Sequence, residues 1–211
     1  LGKLCFTGGS SITHEAKSRV VYIDTLREFA NTSKPSMLKK RDYHSATFHD
    51  NYLYVIGGYR STTYLRDCER LDVTLEKWEA LEPLPQACSS SSVIALEESR
   101  CLYALGGMID GHRLDLIQRL SLTELRWDVL ELKLPNPSMN VACFKLDGAQ
   151  VYFVISEKLY SFTPQASSIK LVKALKVSIL PSENGPSYYS KGSLYTSRCN
   201  GPPREASLGM N

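Results

Sequence analysis

The sequence predicts an all-β protein assembled from successive copies of one strand-rich unit, and three observations carry that reading. Paired glycines recur at Gly8–Gly9, Gly57–Gly58 and Gly106–Gly107, 49 residues apart each time. A bulky aromatic follows 21 residues after the first glycine of each pair, at Phe29, Trp78 and Trp127. The apolar stretches are short and bounded by glycine, proline and polar turn residues, which is the pattern of strands rather than of amphipathic helices. Other landmarks keep the same register: Cys5, Tyr54, Tyr103 and Tyr152 lead toward the glycines, and Tyr22, Leu71 and Leu120 stand seven residues before the aromatics. Self-similarity at such a period marks a repeat architecture.

The second repeat is the fullest copy. Tyr52 to Ile56 is apolar and rich in aromatic and β-branched residues, so it reads as a strand buried on both faces. Gly57 and Gly58 end it, since paired glycines permit positive φ and close approach of neighbouring chain. A polar loop comes next, then a strand at Glu69–Val73, a turn at Thr74–Lys77, and a last strand opened by Trp78 and closed by Pro83 and Pro85.

An apolar strand ending in Gly-Gly, a third strand carrying arginine and acid, and a tryptophan after a polar turn resemble the kelch repeat. The resemblance implies a kelch-type β-propeller of four-stranded antiparallel blades, about four blades plus a stub, in a partial ring. Repeats fall at about 1–40, 41–87, 88–137, 138–181 and 182–199, in one domain or fragment with a tail at 200–211. Four-stranded sheets with two apolar faces must stack on neighbours to bury them, which is why the unit repeats at all.

In chain order, residues 3–9 form the glycine-ended strand of the first repeat, whose opening strand is missing; Arg19–Ile23 is its third strand, Phe29 opens the fourth, and Asn31–Lys40 is a connection. Tyr43–Phe48 opens the second repeat with alternating polarity. His44-Ser45 matches the family's His-Ser pair, for which the resemblance implies a structural hydrogen bond. The third repeat runs Ser89–Leu96, Cys101–Gly107, a loop at Met108–Arg113, Leu116–Leu120, and Trp127–Leu134. The fourth keeps Val151–Ile155 but has Ile155 and Ser156 where glycines are expected, a tight hairpin at Glu157-Lys158, Leu159–Phe162, and a fourth strand at Ile169–Leu175. The fifth holds Ser187–Tyr189 and Ser193–Tyr195 before an irregular tail from Asn200.

The 211 residues supply ample chain for a core. A charged fraction of 22% with net charge +3 gives no sign of a nucleic-acid or membrane-surface partner, and no stretch nears the roughly 20 apolar residues of a membrane helix. A chain that starts at Leu1 inside a strand reads as a piece of a longer protein. The six cysteines lack a C-x-x-C pair and fall mostly in strands, as small buried residues do, which favours a reducing, cytoplasmic setting over use of the sequon at Asn31-Thr32-Ser33.

No residue set reads as catalytic, and no cofactor is implied. His14 and His112 both stand five residues after a second glycine, but Thr63 occupies the equivalent place between them, so no metal site is assembled. The kelch resemblance also admits enzymes, a metal-dependent oxidase or a sugar-modifying one, whose ligands are not found here residue by residue. The favoured function is a protein-interaction scaffold or adaptor binding partners through loops on one propeller face. Arg60, Tyr64 and Arg66 in the second repeat, and His112 and Arg113 in the third, are the candidate contact residues, joined by Lys17 and Arg19 in the first. Their charge points to an acidic protein partner. In the kelch family this module is often joined to domains that recruit ubiquitin ligases or actin; oligomeric state leaves no trace in the sequence.

Overall fold

The computed structural model describes residues 3–10, 15–24, 30–146, 148–174, 187–190, 193–198 and 201–207. Among them the secondary structure is strands and turns, with every strand pairing antiparallel. The chain divides into two compact parts, Leu1–Ser89 and Ser90–Asn211.

The first part holds two sheets. Strands β1 (Lys3–Thr7), β2 (Val20–Asp24) and β3 (Ala30–Lys34) form a three-stranded sheet in sequence order. In the second sheet, β4 (Ser45–His49) and β5 (Tyr52–Ile56) are followed by a small ribbon, β6 (Tyr59–Arg60) and β7 (Thr63–Tyr64), and then by β8 (Cys68–Asp72) and β9 (Lys77–Leu81), with sheet order β4-β5-β8-β9. Val20, Leu53, Val55, Leu71 and Trp78 from these two sheets form a core together with Met37 from the connection after β3. Trp78 is 7% exposed and its indole N–H donates to Pro35 O at 2.7 Å, so the ring both fills space and satisfies its polar edge.

The second part repeats the plan. Strands β10 (Ser92–Leu96) and β11 (Cys101–Leu105) precede a ribbon of β12 (Met108–Ile109) and β13 (His112–Arg113), and β14 (Leu116–Ser121) and β15 (Arg126–Lys133) complete a four-stranded sheet. A further sheet runs β16 (Ala142–Lys145), β17 (Val151–Ile155), β18 (Lys158–Phe162), β19 (Lys170–Ala174), and a last one β20 (Ser187–Ser190), β21 (Ser193–Arg198), β22 (Gly201–Ser207). Tyr103, Leu105, Ile117, Val151, Phe153 and Phe162 are buried together between its sheets. Burial of such large apolar groups is the main force holding stacked sheets together.

Four expectations are corrected. Ala30–Lys34 is a strand, not the start of a connection: Tyr22 pairs with Thr32 and Val21 with Ser33, so pairing with β2 overrides a polar sequence. The tail is not irregular from Asn200, because Gly201–Ser207 pairs along β21, with Leu194 opposite Ala206 and Tyr195 opposite Glu205. The loops after the glycines are ribbons, with Tyr59 opposite Tyr64 and Met108 opposite Arg113. In the fourth repeat the turn residues are Ser156 and Glu157, both at positive φ, and Lys158 already belongs to β18. Phe29 and His14 lie outside the described residues.

Candidate functional site

Each paired glycine ties its sheet to the chain about thirty residues on. Gly58 N–H donates to Cys88 O at 2.9 Å, Gly9 N–H to Arg41 O at 3.1 Å, and Gly107 N–H to Ser138 O at 2.8 Å. The preceding glycine must leave room for the same carbonyl. A Cβ on Gly57 would sit 2.5 Å from Cys88 O, and one on Gly106 2.1 Å from Ser138 O, at φ of +58° and +60°. Steric clash and backbone conformation therefore demand glycine together.

Two residues beyond each acceptor carbonyl the chain turns through a left-handed residue: Tyr43 (φ 49°), Ser90 (φ 52°) and Asn140 (φ 50°). For a tyrosine this conformation is strained, and surrounding structure must hold it. Here the hold is visible, because Asp42 and Tyr59 exchange backbone hydrogen bonds of 2.9 and 2.7 Å. Next to this bridge the Tyr43 side chain stands 59% exposed.

The chain around Tyr43 is fixed from below by a buried ion pair. Arg41, fully buried, donates from Nη1 to Gly57 O (2.6 Å) and Asp67 O (2.7 Å) and from Nη2 to Glu69 Oε1 (2.6 Å). Glu69 Oε2 in turn accepts from Leu38 N–H at 2.6 Å. Buried charge is tolerable only with such pairing, and removing one partner of a pair like this costs about 3–5 kcal/mol. His44 is hydrogen-bonded through Nε2 to Thr7 Oγ1 at 2.7 Å, joining β1's sheet to β4's. Burial, with help from the Arg41 charge, lowers its pKa to about 4, so the ring is neutral near pH 7.

The first ribbon projects from this base, and each ribbon is closed within its own part of the chain. Leu65 N–H donates to Gly58 O and Leu114 N–H to Gly107 O, closing each ribbon at its root. At the first tip Tyr59 and Tyr64 pack edge to face, 4.9 Å between centroids, with Arg60 exposed beside them. Lys17 is joined to Arg41 by a backbone bond from Arg41 N–H to its carbonyl, and its ammonium lies 3.3 Å from the exposed Glu15 carboxylate. The second part presents His112 and Arg113, both exposed, on its own ribbon. Among the described residues neither Arg60 nor Arg113 has an ion-pair partner. Arg66 differs: its Nε donates to Leu84 O at 2.5 Å, and Leu84 N–H returns a bond to Arg66 O, so it braces the end of β9. Arg19 is exposed, just before β2.

Sequence reasoning missed Tyr43 and Tyr59. The second was within reach, since its cross-ribbon partner Tyr64 is itself a candidate contact residue; Tyr43 needed the turn. The ribbons themselves had one unread signal, Asp110-Gly111, with φ of 49° and 77°, a dipeptide that favours two-residue hairpins. Among the described residues no cluster of three or more His, Cys, Asp or Glu is arranged to hold a metal ion. No helix among them is long and apolar enough to cross a membrane.

Comparison with known proteins agrees with this geometry. Residues 2–162 match the model of the KLHDC2/KLHL20/DRC7 Kelch-repeats domain. Kelch-like protein 25 of Xenopus tropicalis is 26% identical over 93% of this chain and 36% of its own length. Kelch-like protein 35 of Mus musculus is 29% identical over 61% of this chain and 22% of its own, and an F-box/kelch-repeat protein of Arabidopsis thaliana 32% identical over 51% and 41%. The chain thus spans well under half the length of these relatives. With the repeated glycine clasps, the four-stranded antiparallel sheets and a family match over most of its length, the chain belongs to the kelch-repeat family.

Proposed function

We propose that this chain is a protein-recognition module, a scaffold or adaptor without catalytic activity, which engages an acidic protein partner through its ribbon tips. The observation that carries the reading is the cluster in the first part: Tyr43 exposed in a strained conformation, Tyr59 and Tyr64 packed against each other, and Arg60 without a carboxylate partner among the described residues. Rigid aromatics beside an uncommitted guanidinium give apolar area and charge-assisted hydrogen bonds at little entropic cost. A second ribbon, in the other part of the chain, repeats the pairing and carries His112 and Arg113 in place of the tyrosines and Arg60. Relatives whose names join kelch repeats to F-box or BTB domains support an adaptor role within a larger protein. The reading places it in the cytoplasm, which suits the free thiols of Cys5, Cys68, Cys88, Cys101 and Cys143.

The test is quantitative capture. Wild-type chain and an Arg60→Glu variant are compared for every protein retained from a lysate, with melting temperature measured alongside. The expected outcome is a set of acidic proteins lost by roughly tenfold or more in the variant, at unchanged melting temperature, since exposed charges add little to folding. Identical retention profiles would sink the assignment.

A further inference from the structure

The last three strands of the four-stranded sheets carry a polar ladder that runs across them. In β5-β8-β9, Tyr54 is opposite Arg70 and Arg70 opposite Glu79. Arg70 is ion-paired to Glu79, stacks 4.2 Å over the Tyr52 ring, and is hydrogen-bonded to Tyr54 Oη. The same register in β11-β14-β15 gives Tyr103, Arg119 and Asp128, with Arg119 bonded to both carboxylate oxygens at 3.0 and 2.6 Å.

In β17-β18-β19 the tyrosine stays and the charges change. Tyr152 is opposite Ser161, and Ser161 is opposite Lys170. A serine thus takes the arginine's place and a lysine the acid's. A cavity of about 300 Å³ opens here, lined by Gln150, Ser161, Thr163, Gln165, Ser168 and Lys170. Its floor is a relay: Tyr152 O–H donates to Gln150 Oε1, which turns Gln150 Nε2 to donate to Ser161 Oγ at 2.8 Å. That leaves the hydroxyl hydrogen of Ser161 and the second amide hydrogen of Gln150 as donors, with only the ammonium of Lys170 as charge. Residues 158–182 contain four lysines and no acidic residue, in a chain whose net charge is only +3.

We propose that this cavity binds a small oxyanion, a carboxylate or phosphate either free or at the end of a small molecule. The anion occupies the cavity beside Ser161, where the other two sheets hold Arg70 and Arg119, and faces Lys170, which stands at the register position of Glu79 and Asp128. Lys170 supplies the charge, and Ser161 and Gln150 supply hydrogen bonds. The assignment is independent of the ribbon reading, because it concerns a different sheet, one without a ribbon.

Titration with inorganic phosphate, acetate, glucose 6-phosphate and neutral glucose, followed by amide chemical shifts and calorimetry, tests it. Saturable binding of at least one anion, weakened at least about tenfold in Lys170→Glu and retained in Lys158→Met, is expected. Phosphate against acetate separates the two anion classes, and glucose 6-phosphate against phosphate separates a tethered anion from a free one. Ser161→Arg combined with Lys170→Glu rebuilds the ladder of the other sheets and should abolish binding with the melting temperature maintained. Anions that bind no better than glucose, or equal loss in Lys158→Met and Lys170→Glu, would overturn the proposal; Lys170→Glu alone decides it should the double variant not fold.

Discussion

The sheet of β4-β5-β8-β9 and that of β16-β17-β18-β19 share strand order and pairing, yet they are finished differently at every margin. The first ends its second strand in Gly57-Gly58, projects a ribbon, and buries Trp78 from its outer strand. The second turns at once through Ser156 and Glu157, and its outer strand, Lys170–Ala174, is exposed at every position. The common part is the inner apolar register: Leu53 and Val55 are buried in one, Val151 and Phe153 in the other. A kelch sheet therefore needs its apolar strands to form, whereas glycines, ribbon and tryptophan serve to fasten it to adjoining chain and to present a surface.

The contrast can be broken most severely at the glycines. Gly57→Val places a branched side chain against Cys88 O in a left-handed conformation, and should cost about 4–6 kcal/mol, read by denaturant unfolding. Ser156→Val, at a φ of 48° in the other sheet, suffers the backbone strain without that clasp and should cost less; equal losses would remove the clasp from the explanation. Next in size are the outer strands. Trp78→Ala should lose about 3–5 kcal/mol, while Leu171→Ala, 57% exposed, stays within about 0.5 kcal/mol.

A third difference appears with pH. His44 has a folded pKa of about 4 against an ordinary 6.5, so the unfolded chain binds the proton more readily between those values. The stability it preserves is complete above pH 6.5 and falls as pH drops toward 4, by about 3 kcal/mol for that depression. Asp42, whose carboxyl is raised by burial, acts in the opposite direction near the acid end, so the readout is the slope of wild type minus that of His44→Gln. Parallel pH profiles for the two proteins would show that the ring is not held neutral. A modest gain is expected at the tight turn, where Glu157→Gly should add about 1 kcal/mol by relieving a φ of 61°.

Sequence alone made the inner strands legible, because Tyr52–Ile56, Cys101–Leu105 and Val151–Ile155 are apolar runs of strand length kept in one register. Elements stabilised mainly by their neighbours were not. Thr32 and Ser33 join a sheet because β2 offers backbone partners, and Pro202 and Pro203 sit in a strand that composition reads as tail. The candidate surface was half legible: Arg60, Tyr64, His112 and Arg113 stand exposed or half-exposed on ribbons, but Arg66 is committed to Leu84 O, a bond between residues 18 apart that spacing does not reveal. The ladder's conversion at Ser161 and Lys170 was hidden because strand register, not sequence period, defines the equivalence.

The clasp also sets an order of events during synthesis. Gly9 waits for Arg41, Gly58 for Cys88 and Gly107 for Ser138, each an acceptor that leaves the ribosome 30 to 32 residues later. Every completed clasp closes a loop of similar, modest length, so none demands the entropic cost of joining distant parts of the chain. The protein can therefore fold vectorially, each of the three glycine-ended sheets being locked by the chain that directly follows it while the rest is still emerging.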